Sequence, residues 1–105
     1  VGVNDDEYSS QPSGYRLEQN YPNPFNPATR IQYSLVERRY VSLKIYNLLG
    51  EVVATLVDGI EDAGYKSVEW RAGKSANGVY FARLFVYSET GNVLYHGTKK
   101  LILMK

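Results

Sequence analysis

Cysteine is absent from the 105-residue chain, and histidine occurs once, at His96. The first absence excludes disulfides, thiol catalysis and every zinc or iron–sulfur site built on Cys. The second excludes a multi-His metal centre and leaves His96 as the sole base for any Ser–His–acid triad. His96 stands in the polar break Tyr95-His96-Gly97, the setting of a surface residue. No apolar run approaches about 18 residues, so no helix of this sequence crosses a bilayer. An excess of one charge is lacking too: 12 Lys and Arg face 11 Asp and Glu, a net +1. That balance gives no general electrostatic reason to expect nucleic acid or an acidic membrane as partner. Gly-rich phosphate loops are missing. The acids fall in loops, turns and outward strand positions, with no pair set across a cleft. The chain therefore reads as a non-enzyme that needs no cofactor and no metal.

What is present is a sequence of short strands. Hydrophobic residues make up 44% and charged residues 22%, which excludes disorder of the whole chain. The length suits one domain. Residues 1–14 are polar, sustain no apolar period, and read as a linker. Val1 and Val3 alternate there, which suits a short edge strand. The chain opens Val1-Gly2-Val3 with no basic-then-apolar leader behind it, the expectation for a processed piece of a longer protein.

From Tyr15 the pattern becomes period two. Ile31, Tyr33 and Leu35 alternate with polar residues, as do Val41, Leu43 and Ile45. Tyr80, Ala82, Leu84 and Val86 alternate with Phe81, Arg83, Phe85 and Tyr87. Turn residues punctuate the runs: Asn47 to Gly50, Gly73 to Gly78, and Glu89 to Asn92. Asp58 to Gly64 reads as a longer acidic connection. Strands are predicted at about 15–21, 28–36, 39–47, 51–57, 64–71, 78–88 and 92–104, an antiparallel all-β sandwich of seven strands. The tail Leu101-Ile102-Leu103-Met104 breaks the alternation, and periodicity does not say which pair faces the core.

Three features invite a ligand. Asp5-Asp6-Glu7 and Asp58…Glu61-Asp62 are carboxylate clusters of the kind a hard cation prefers, although neither has the spacing of a calcium loop and solvated loop charge accounts for both. Ten Tyr residues suggest a glycan platform, with Phe81, Phe85 and Tyr87 as its row. The competing reading puts the Tyr residues in the core, with Tyr33, Tyr46 and Tyr80 inward by register. Finally, Tyr21-Pro22-Asn23-Pro24-Phe25-Asn26-Pro27 packs three prolines into six positions. Pro fixes φ and removes the N–H, so this reads as a stiff extended connector with Tyr21 and Phe25 anchored on the core.

Four ordered blocks carry a family resemblance: Asn20 to Thr29 followed by Ile31-Gln32-Tyr33-Ser34-Leu35; Val41 to Val53 with Gly50 in its turn; Asn77-Gly78-Val79-Tyr80-Phe81-Ala82-Arg83-Leu84; and Lys99 to Lys105. Together they resemble the type A C-terminal sorting domain of type IX secretion, over about Leu17 to Lys105. Asn47 departs from the pattern, standing where the family often has Asp. The resemblance implies an Ig-like fold for residues 15–105 and a signal role at the C-terminus of secreted cargo in Bacteroidetes-like bacteria. It implies passage through the periplasm to the exterior or cell surface, with translocon and sortase components and an N-terminal cargo domain as partners. It also implies a sortase cut before the domain, which the linker places within Val1 to Gly14.

The residues expected to carry recognition are Pro22, Asn23 and Pro24 (shape of the opening segment), Gly50 (tight turn), Gly78 and Tyr80 (strand start and core anchor), and Lys99, Lys100 and Lys105 (basic tail). Fold maintenance is the competing role for each. A charged-ended last strand is also suited to strand addition, to a partner or weakly to a second copy. The alternative function is a carbohydrate-binding or adhesive sandwich using Phe81, Phe85 and Tyr87.

Overall fold

Period-two alternation becomes seven strands in two antiparallel sheets. The computed structural model describes residues 11–105; the Val1/Val3 strand and the Asp5-Asp6-Glu7 cluster lie outside the described residues. The strands are β1 (Arg16–Leu17), β2 (Ala28–Leu35), β3 (Arg39–Tyr46), β4 (Val52–Glu61), β5 (Gly64–Arg71), β6 (Gly78–Tyr87) and β7 (Val93–Leu103). One sheet has the order β1-β2-β5 and the other β4-β3-β6-β7. The fold is the expected seven-stranded Ig-like β-sandwich.

Alternation sets which residues meet between the sheets. Ile31, Tyr33 and Leu35 of β2 face Val41, Leu43 and Ile45 of β3 and Ala82, Leu84 and Val86 of β6 in one buried cluster. Leu101 and Leu103 of β7 belong to it, while Met104 is exposed. That resolves the ambiguous tail: the odd positions turn inward. Trp70 joins the cluster from β5, flanked by Phe25 at 5.4 Å and Tyr80 at 5.3 Å between ring centroids. Tyr33 and Tyr80 are inward as expected. Tyr46 is not. It shares the parity of Ser42 and Lys44 and lies half-buried on the outer face, because inward positions on β3 are odd-numbered.

Two strands differ from their predicted extents. β1 shrinks to two residues, because its regular ladder with β2 stops at Leu17 and the chain pairs with β2 again only through the isolated Tyr21–Arg30 bridge. β4 runs on to Glu61, so Asp58 and Glu61 are strand residues and only Asp62 and Ala63 link it to β5. Its register on β3 slips at Leu43/Lys44 and at Ile45/Tyr46, leaving Leu56 and Val53 as the extra residues of two bulges. A bulge inverts the facing of the residues beyond it, which erases the alternation from this stretch of sequence. The three acids of the supposed loop go to separate partners: Asp58 accepts from the Tyr40 hydroxyl, Glu61 from the Tyr33 hydroxyl at 2.7 Å, and Asp62 from Arg38.

Gly97 carries a requirement that the sequence did not announce. A Cβ there would stand 2.7 Å from the Tyr95 hydroxyl and 3.3 Å from Leu17. That hydroxyl accepts the Leu17 N–H at 3.1 Å and so ties β1 to β7 across the sandwich. Glycine is the residue that leaves the bond room.

Burial, reinforced by the bond to Glu61, holds the Tyr33 phenol well above its ordinary range. A phenol whose pKa is raised on folding contributes stability that is complete below the unfolded pKa and is lost as pH climbs through the folded value. We expect wild-type stability to fall as pH rises past about 10, the ordinary phenol value. In Tyr33→Phe this alkaline loss should be smaller, as read from urea midpoints across that range.

Candidate functional site

The proline-rich segment and the C-terminal strand form one unit. After β1 the chain stays beside β2, with the Glu18 N–H bonded to the Gln32 carbonyl at 2.9 Å and Tyr21 exchanging two backbone bonds with Arg30. It then bends through residues 22–24 and crosses to the other sheet, where Phe25 bridges Leu103 in parallel. The Phe25 N–H donates to the Ile102 carbonyl at 2.9 Å, and the Phe25 carbonyl accepts from the Met104 N–H at 3.0 Å. Just before these bonds along β7 the Asn23 side chain acts as a substitute strand. Its Oδ1 accepts the Ile102 N–H at 2.9 Å and its Nδ2 donates to the Lys100 carbonyl at 3.3 Å. Gln19 Nε2 also donates to that carbonyl, at 2.8 Å. The outward backbone groups of β7 from Lys100 to Met104 are thus satisfied within the chain.

Sequence composition explains why this segment does the capping. Prolines cannot extend a ladder, so an amide side chain and one non-proline residue make the bonds. Asn20 and Thr29, both buried, fix the bend: Asn20 Nδ2 donates to Thr29 Oγ1 at 2.9 Å and to the Pro22 carbonyl at 3.2 Å, and the Thr29 hydroxyl donates to that carbonyl at 2.8 Å. These two residues were missed as contributors, although they bracket the ten-residue block that carries the resemblance. Phe25 is buried as expected. Tyr21 is not an anchor: it is 80% exposed, and only its backbone holds. The connector is bent, since one extended run along either sheet would not reach the other.

The remaining candidates separate. Gly50 has φ +84° and closes the β3–β4 turn. Asn47 builds that turn, its Oδ1 accepting the Leu49 and Glu51 N–H groups at 2.9 and 3.0 Å. Its Nδ2 donates to Glu51 Oε1 at 2.8 Å, a bond that an Asp in this position would not make. Gly78 has φ +146° where β6 begins, and the Tyr80 hydroxyl donates to the Ala76 carbonyl at 2.6 Å, holding the preceding loop. The three tail lysines do not cluster. Lys99 has the inward parity and is half-buried, while Lys100 is exposed on the outer face. Lys105 is drawn back to the loop before β6, its N–H on Asn77 Oδ1 and its Nζ on the Gly73 carbonyl at 3.2 Å.

Phe81, Phe85 and Tyr87 do share the outer face of the four-stranded sheet, each half-buried. The rings pack on one another: Phe85 stacks with Tyr87 at 6.2 Å and with His96 at 5.9 Å. The proline-rich segment does not pair there, lying instead along the β7 edge.

Comparison with known proteins places this geometry. The family described as secretion system C-terminal sorting domain matches residues 19–103, from just before the bend to the last residue of β7. The chain belongs to that family. The sorting domain is a non-catalytic C-terminal signal of type IX secretion, its partner is the type IX machinery, and its cargo is a secreted or cell-surface protein. No curated protein matches the chain. Among solved structures, CopC from Methylosinus trichosporium OB3b is similar at TM-score 0.50 and 16% identity, covering 86% of this chain and 93% of that one. At that identity the likeness bears on the sandwich alone.

Two outcomes test the local chemistry of the sorting domain. Asn23→Ala removes both side-chain bonds to β7 and should cost about 1–2 kcal/mol, with faster hydrogen exchange at the Ile102 amide than at amides in mid-β3. Asn47→Asp keeps an oxygen that accepts both backbone N–H groups but sets a carboxylate against Glu51. Like charge raises a folded carboxyl pKa above its unfolded value. The variant's stability should therefore match wild type below the carboxyl range and fall below it as pH rises to neutral, and adding Glu51→Gln should abolish this difference.

Proposed function

We propose that the joined unit of proline-rich segment and C-terminal strand is the part of the signal that the secretion machinery reads, and that it is read as a folded shape. The observation that carries this is the convergence of the first and last blocks of the family pattern on one edge, through Asn23, Phe25, Lys100 and Ile102. On this reading Pro22, Asn23, Pro24, Gly50, Gly78 and Tyr80 act by holding the shape. Lys100 and Lys105 are the tail charges available to a partner, and Lys99 is partly withdrawn. The domain folds in the periplasm before outer-membrane passage, which suits a fold that closes its own edge before it meets a partner. A sortase then cuts before the domain. Pro12 is buried and the Gly14 carbonyl accepts the Ser34 hydroxyl at 2.8 Å, which makes residues 12–14 poor substrates and favours a cut N-terminal to them, between the domain and its cargo.

The carbohydrate-binding reading has the shared outer face of Phe81, Phe85 and Tyr87 in its favour. The Phe85 ring stacks with Tyr87 and with His96, which suits sugar stacking less than a row of separate plates.

Deleting Lys99 to Lys105 is a poor test, because it also removes the buried Leu101 and Leu103. Residues 1–105 fused behind a periplasmic fluorescent reporter should be exported by a host with a working type IX system. Lys100→Gln with Lys105→Gln should fold normally and export less. Retention of the folded wild-type fusion in the periplasm would overturn the sorting role in that host. Undiminished export of the double variant would remove the tail lysines from recognition.

A further inference from the structure

The outer face of the four-stranded sheet holds a cationic centre that takes part in no ion pair among the described residues. Lys44 of β3 and Arg83 of β6 are direct cross-strand partners, and Lys100 of β7 pairs with Phe81 one row along. Like charges directly opposite on neighbouring strands destabilise a sheet. Among the described residues the ion pairs are Arg16–Glu18, Arg38–Asp62, Arg39–Glu37 and Arg71–Glu69, so Lys44, Arg83 and Lys100 take part in none of them. Asp58 accepts from Tyr40 and Glu51 from Asn47; Asp58 and Glu89 line a hollow on the Tyr87 side of Lys44, and Arg83 is not part of that lining. Arg83 is held in place by aromatic rings, its guanidinium carbon 5.6 Å from the Tyr46 centroid and 5.1 Å from that of Phe85. Such stacking fixes the group and leaves its N–H edge available.

A hollow of about 230 Å3 opens beside it, lined by Tyr46, Leu48, Phe81, Arg83 and Thr98 among others. Leu48 forms its apolar shoulder, and the neighbouring turn residue Leu49 is bare as well; the two are 70% and 82% exposed. Small-molecule sites usually run to about 300–1,000 Å3. This one accommodates a side chain or two.

We propose that this face docks an acidic peptide segment of a protein partner, with a carboxylate on Arg83 and Lys44 and an apolar neighbour on Leu48. Charge complementarity selects the acid, and the hollow's size together with its apolar shoulder selects a peptide over a sugar chain. The partner's membership of the secretion machinery rests on the sorting role; the docking itself does not. The surface is separate from the strap along β7 and shares only Lys100 with it.

The test is titration of isotope-labelled residues 1–105 with a blocked peptide of alternating Glu and Leu, followed by NMR. Shifts should saturate and centre on Tyr46, Leu48, Phe81, Arg83 and Thr98. The Gln-for-Glu peptide should bind about 10-fold more weakly, as should Lys44→Gln and Arg83→Gln. Raising salt severalfold should weaken binding of the acidic peptide by a similar factor, since exposed charges are screened. Lys44→Gln alters an outward side chain, so it serves if Arg83→Gln fails to fold. Equal binding of the two peptides, shifts scattered elsewhere, or tighter binding of an oligogalacturonate than of the peptide would overturn the proposal. In the export assay, variants that lose the peptide but still export would overturn the machinery as partner. A wild-type fusion that binds the peptide yet is not exported would instead count against the sorting role.

Discussion

A sandwich with a hydrophobic last strand has an edge to protect, and here the chain protects it with its own opening segment. An edge strand carries a row of unpaired N–H and C=O groups that attracts other strands. Over Lys100 to Met104 that row is closed by Phe25 backbone and the Asn23 amide. The Phe25 ring, inserted against Trp70, ties the closure to the core. The edge cannot be freed there without also withdrawing a buried aromatic side chain. Pairing with a second copy at this end of β7, expected from the apolar tail, meets an edge already in use.

This constraint sorts the sequence motifs by physical role. The prolines make the bend, Asn20 and Thr29 fix it from beneath, and Asn23 makes the contact. The charged tail is divided between two faces and a loop. A partner that recognises the domain therefore meets a shape made by two distant parts of the chain. A short linear peptide would present neither the Asn23–Ile102 contact nor the Phe25 insertion. A non-catalytic signal carried by a cargo protein gains from such dependence, since an unfolded domain would display the tail without the edge.

On the outer face of the four-stranded sheet, Arg83 and Lys44 pose the opposite problem. Cross-strand like charges are retained on a sheet surface where Thr or Gln would satisfy the pleat, and aromatic rings hold the guanidinium in place. The turn beside them keeps Leu48 and Leu49 in water while Asn47 saturates its own backbone. A turn that presents bare leucines beside cations in no ion pair among the described residues suits the proposed docking.

Much of this was legible in residue order. Period-two alternation fixed the seven strands and most of the inward set, because burial on one side of a pleat demands that pattern. Tyr46, expected inward by register, has the parity of Ser42 and Lys44, opposite to the inward Val41, Leu43 and Ile45. The β4 stretch was less legible, since two bulges invert its facing and no local signal marks a bulge. Prolines announced a bend and Gly50 a turn, because both act through their own backbone. The family blocks, read in order, identified the sorting domain. What the sequence alone did not hold was that Asn23 meets Ile102, that Gly97 is small for the sake of Tyr95, or that Lys44 faces Arg83. Those partners lie far apart in the chain or on different strands, and only the pairing and stacking of two sheets brings them within reach of one another.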